Sequence, residues 1–88
     1  MTKSDCEEII DYAENALAEI HYKDENGAWI EINRIKQKLD DMAGSPTEIG
    51  TRYQDMCNGI RNCDELDVKY RSVEEFKFFI QRLLKGMK

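Results

Sequence analysis

Residues 4–20 read SDCEEIIDYAENALAEI, and their spacing decides the fold class. Cys6, Ile9, Ile10, Ala13, Ala16, Leu17 and Ile20 recur in steps of three and four. On a helical wheel they fill one stripe about 120° wide, the pattern of an amphipathic helix that buries one face. Ser4 followed by Glu7 predicts its start as a capping box: the serine oxygen accepts a free backbone N–H and the glutamate reaches back. The remaining faces carry six acidic residues and not one Lys or Arg.

The same periodicity continues outward from this helix. KDENG (23–27) reads as a turn. In AWIEINRIKQKLDDMA (28–43), Ala28, Ile32, Ile35, Leu39 and Met42 keep helical spacing over four turns, which outweighs the strand propensity of WIEI. Gly44 then stops the chain. Ser45, Pro46 and Glu48 restart it as N-cap, first helical residue and box-closing acid. So short a connection predicts antiparallel second and third helices. The third carries a thin stripe of Ile49, Tyr53, Met56 and Ile60, weakened by Gly50 and Gly59, with Asn58-Gly59 a possible early end.

CDELDVKYR (63–71) alternates Leu66, Val68 and Tyr70, so it is expected to cross the bundle as an extended segment. Ser72 and Glu75 form a third capping box. They open a last helix with Val73, Phe76, Phe79, Ile80, Leu83 and Leu84 on one face. The expectation is an all-α fold: one compact four-helix domain spanning residues 1–88.

Charge narrows the function. A net charge of −5 argues against coating nucleic acid or an anionic membrane. The N-terminal MTKSDCEE lacks the apolar core of a signal peptide, and no stretch approaches the ~18 apolar residues of a membrane span. Three cysteines without a secretory signal read as reduced thiols. A cytoplasmic protein is expected.

Chemistry-bearing patterns are sparse. The three serines are all assigned as helix caps, and the Asp-Ser-Leu motif of an acyl carrier is absent. Cys57 and Cys63, six apart, point about 120° away from each other on a helix and lack the spacing of a zinc pair. His21 is the single histidine, which excludes a multi-histidine bundle site. DENG places its glycine too early for a calcium loop. With no paired acid and base and no phosphate loop, neither an enzyme nor a cofactor is expected. Residues 39–54, LDDMAGSPTEIGTRYQ, resemble a helix-turn-helix of phage-repressor type. The reading helix would present Thr47, Glu48, Thr51, Arg52 and Gln54, only one of them basic, which disfavours direct nucleic-acid binding.

The acidic helix is the best functional clue. Glu7, Asp11 and Glu14 lie opposite the apolar stripe, flanked by Glu8 and Glu19, with Tyr12 at the edge as an aromatic anchor. Like charges four apart destabilise a helix by roughly 0.2–0.5 kcal/mol. Two answers are open: the last helix packs alongside and lends Lys77, Arg82 and Lys85, or a basic partner protein covers the ridge. Nucleases and other nucleic-acid-handling enzymes present such basic surfaces. Colicin-nuclease immunity proteins share the overall type, small, acidic and four-helical, in architecture alone. The expected function is therefore an inhibitor of immunity, antirestriction or anti-CRISPR type. A helix-turn-helix regulator and an oligomeric adaptor are the alternatives. Ile30 and Phe78, opposite their own apolar stripes, and Arg82 beside Phe78 mark a second interface or a homo-oligomer contact.

Overall fold

The computed structural model describes residues 2–42 and 47–87. Four helices follow in chain order: α1 (Lys3–His21), α2 (Glu25–Asp41), α3 (Thr47–Arg61) and α4 (Leu66–Lys85). Among the described residues no strand occurs. α1 is the organising element, packed along both α2 and α4, while α3 packs on α4. All seven residues of the α1 stripe are buried. They meet Ala28, Ile32 and Ile35 of α2, Ile49, Met56, Cys57 and Ile60 of α3, and Val73, Phe76, Phe79 and Ile80 of α4 in one core. Each Val, Leu, Ile, Met or Phe among them contributes about 1.5–3 kcal/mol when fully buried.

Side chains bridge α2 and α3. The Tyr53 hydroxyl donates to the Ile32 carbonyl at 3.3 Å, and the Arg61 guanidinium stands 5.0 Å from the centre of the Trp29 ring. Thr47 and Ile49 share a cleft with Leu39 and Asp40. Contacts therefore run in opposite chain order, and α2 and α3 are antiparallel as expected. Their caps at Ser45 and Pro46, and the stop at Gly44, lie outside the described residues.

The helix boundaries differ from expectation in four places. α1 is capped two residues earlier, by Thr2: its Oγ1 accepts from the Asp5 N–H at 3.1 Å, and Asp5 Oδ2 accepts from the Thr2 N–H at 3.0 Å. This box takes precedence over Ser4–Glu7 because it adds helix at no loss of capping. The turn contracts to Tyr22, Lys23 and Asp24, with Lys23 in the left-handed region at φ 63°. Asp24 caps α2 through the Gly27 N–H at 2.9 Å, so Glu25, Asn26 and Gly27 are helical. α3 runs through Gly59 to Arg61.

The extended crossing segment at 63–71 is also corrected, because α4 already begins at Leu66. Leu66, Lys69, Val73, Phe76 and Ile80 keep helical spacing, with the half-buried Lys69 filling a slot that an apolar residue would have advertised. Ser72 is consequently no cap; its hydroxyl donates to the Val68 carbonyl at 2.9 Å inside the helix. The earlier start also lets Lys69 reach across to pair with Glu25 at the head of α2.

Candidate functional site

Packing divides the acids of α1 between two environments. Toward α2, the Lys38 ammonium lies 2.9 Å from both Asp5 Oδ1 and Glu8 Oε2. Tyr12 joins this seam, half-buried, with its hydroxyl donating to Glu8 Oε1 at 2.9 Å. The Thr2 backbone N–H and then Lys38 pull the Asp5 carboxyl down to about 2. Lys38 and the Tyr12 hydroxyl hold Glu8 below its ordinary value, and Glu8 in turn raises the Tyr12 phenol. The anchoring hydroxyl of Tyr12 is thus engaged within the molecule.

Glu19 belongs to the same seam at its other end. Its carboxyl and that of Asp24 converge over Gly27, where an added Cβ would lie 2.6 Å from an oxygen of each. A hydrogen bond shared with Asp24, burial, and the charges of Asp24 and Glu31 push Glu19 above the usual carboxylate range. Glu31 Oε1 is paired with Arg34 at 2.9 Å, whereas its Oε2 is buried without a hydrogen-bond partner among the described residues.

Glu7, Asp11 and Glu14 stand on the other side, all exposed. Among the described residues no cation lies within ion-pair distance of any of them. α4 does pack beside α1, and two open clefts lie along their seam. One is lined by Glu7, Ile10, Asp11, Gln81, Leu84 and Lys85. The other is lined by Glu14, Leu17, Ala18, His21, Tyr22, Tyr70 and Lys77. Lys77 and Lys85 thus form the facing wall without closing on the acids, and the Lys77 ammonium instead sits 5.5 Å from the centre of the Phe78 ring.

The six predicted acidic-face residues therefore separate into a ridge of Glu7, Asp11 and Glu14 and a seam of Glu8, Tyr12 and Glu19. Phe78 is 47% exposed and Ile30 56%. Ile30 and Phe78 stand on different helices, each opposite its own buried stripe, and Arg82 is exposed on α4. Two aromatic residues are additions to the candidate site: Tyr22, 78% exposed, and Tyr70, expected from its sequence to lie in an extended segment; both line the second cleft. The signal for Tyr70 was its place off the apolar stripe once α4 is extended back to Leu66. On α3, Thr47, Glu48, Thr51, Arg52 and Gln54 are exposed, but the Arg52 guanidinium lies 5.0 Å over the Phe79 ring and 3.7 Å from Glu48.

Cys6 and Cys57 are buried and Cys63 half-buried, all as free thiols. Among the described residues no group of three His, Cys, Asp or Glu side chains could hold a metal ion. No described helix is long and apolar enough to cross a membrane. Comparison with family models, curated proteins and solved structures returns no match.

Proposed function

We propose that this chain is a non-enzymatic binding protein whose α1 ridge engages a basic surface of a partner protein and inhibits the partner by covering it. The supporting observation is the unequal treatment of the α1 acids. Lys38 clamps Asp5 and Glu8, while Glu7, Asp11 and Glu14 face water with no cation at ion-pair distance among the described residues. Three like charges along about 10 Å of one helix repel one another, and a cationic surface relieves that repulsion on contact. Such a ridge accelerates encounter with positively charged partners and selects among them. Nucleases and related enzymes, whose grooves must attract phosphate backbones, are the partner class with the required charge. An inhibitor of immunity, antirestriction or anti-CRISPR type fits that chemistry.

The helix-turn-helix alternative is less favoured, because the one base on its reading face is already stacked on Phe79. The test is charge reversal of the ridge. The triple variant Glu7→Lys, Asp11→Lys, Glu14→Lys should keep its helical circular dichroism and lose the partner captured from the native host. Undiminished capture by the folded triple variant refutes the proposal.

A further inference from the structure

The two clefts along the α1–α4 seam are in line. Glu7, Ile10, Asp11, Gln81, Leu84 and Lys85 line one, and the second continues it to Tyr22 and Tyr70. Fifteen residues separate Glu7 from Tyr22, an axial run of about 22 Å. The floor is apolar: Ile10 and Leu84 at one end, Leu17 and Ala18 at the other. The α1 wall carries one carboxylate per turn over its first half, at Glu7, Asp11 and Glu14, and His21 toward its far end. The α4 wall carries Gln81, Lys77 and Lys85. The open end is rimmed by two exposed tyrosines, a residue type enriched among the few that dominate binding energy.

Resting on the ridge reading above, we infer that this groove receives an amphipathic α-helix of the partner, with lysine or arginine along the flank that faces α1. Spacing selects a helix. The ridge carboxylates are separated along the axis by about 6 Å and then about 4.5 Å, the steps that bases at i, i+4 and i+7 of a parallel helix, or at i, i+3 and i+7 of an antiparallel one, reproduce. Same-face side chains of an extended strand recur every ~6.7 Å and fall out of step by the third residue. A strand would also bring unpaired backbone N–H and C=O groups against helical walls that offer no edge to pair them, whereas a helix satisfies its own. The lysines on the α4 wall set the orientation. They repel bases on the far flank, so the incoming helix carries its positive charge on one side and neutral or acidic residues on the other.

The test uses the full chain against a displayed library of random 16-residue peptides. Selected peptides should carry bases at i, i+4 and i+7, or at i, i+3 and i+7, on one flank, and should gain helical circular dichroism when bound. Ala18→Arg, which places a bulky cation on an exposed position of the groove floor without touching the core, should weaken them tenfold or more. The pair Tyr22→Ala, Tyr70→Ala should do the same, and a proline at the peptide centre should abolish binding. Basic peptides that lack helical periodicity, tolerate the proline and still depend on Glu7, Asp11 and Glu14 would overturn the groove and leave the ridge reading standing. Peptides indifferent to reversal of the ridge would overturn both. Recovery of no binding peptide overturns the groove, with the ridge then judged by capture of the host partner.

Discussion

Two glycines inside α3 should respond to the same substitution with opposite sign. A Cβ added at Gly50 meets nothing within 4 Å, so Gly50→Ala gains helix propensity alone, about 0.5–1 kcal/mol. A Cβ added at Gly59 would come within 2.2 Å of Ser72 Oγ and 3.0 Å of Ser72 Cβ, against about 3.5–4.0 Å for an ordinary carbon contact. The hydroxyl can swing away at the loss of its bond to the Val68 carbonyl. The Cβ is fixed to the α4 backbone, so the two helices must separate. Overpacking of this kind costs about 1–3 kcal/mol, which exceeds the ~1 kcal/mol gained in propensity. Gly59→Ala should therefore destabilise by about 1 kcal/mol, leaving the two alanine variants about 2 kcal/mol apart. In a domain of this size, 1 kcal/mol moves the midpoint of thermal unfolding by roughly 4–8 °C. Urea denaturation followed by circular dichroism measures both changes, and Ser72→Ala added to Gly59→Ala should recover part of the loss in a double-mutant cycle. Equal stability of the two single variants would refute the close α3–α4 contact. It would also unsettle the position of α4 as the far wall of the groove.

The remaining predictions concern charge and thiols. Asp5 is held at about 2, so its contribution is present above its ordinary value near 4 and is lost as pH falls toward 2; Lys38→Met should make that acid limb shallower in pH-dependent melts, with the part due to the Thr2 N–H remaining. Glu19 is raised in the folded state, so its contribution is largest at low pH and disappears as pH rises through the shifted value. Glu19→Gln should accordingly melt higher than the parent at pH 7, with the gap closing near pH 4. A disulfide-exchange reagent should titrate Cys63 first in the native protein and reach the buried Cys6 and Cys57 only on unfolding, a sequence readable by mass spectrometry of the labelled peptides.

Helix content and core were legible because each buried stripe repeats every three to four residues over several turns. Seven of seven stripe residues on α1 are buried, which is why that helix fixed the fold class. The misplaced boundary of α4 has a specific cause. Leu66, Val68 and Tyr70 alternate, and the residue that would have completed the helical pattern is Lys69, whose charged head disguises a half-buried position. Capping was misread for a related reason: Thr2–Asp5 and Ser4–Glu7 both satisfy the box pattern, and only packing of the whole helix chooses between them. Which acids of α1 would be neutralised was not legible at all. That depends on how α2 is rotated about its own axis, and Lys38 was visible in the sequence without its destination.

The placement of Lys38 carries the functional argument further than the acidity of α1 does. One cation equidistant from Asp5 and Glu8 resolves repulsion on the α2 side of α1 and leaves the opposite side as it was. α4 packs on α1 as closely as α2 does, and its Lys77 and Lys85 line the clefts beside Glu7, Asp11 and Glu14, yet Lys77 turns to the Phe78 ring. If the ridge served stability, its neutralisation should lower the melting temperature; if it is held for a partner, the variant Glu7→Gln, Asp11→Asn, Glu14→Gln should melt no lower than the parent. Breaking the clamp by Glu8→Lys should lower it. Parallel thermal melts at low salt separate the two cases, and a ridge neutralisation that destabilises more than the clamp mutation would assign those carboxylates to the fold.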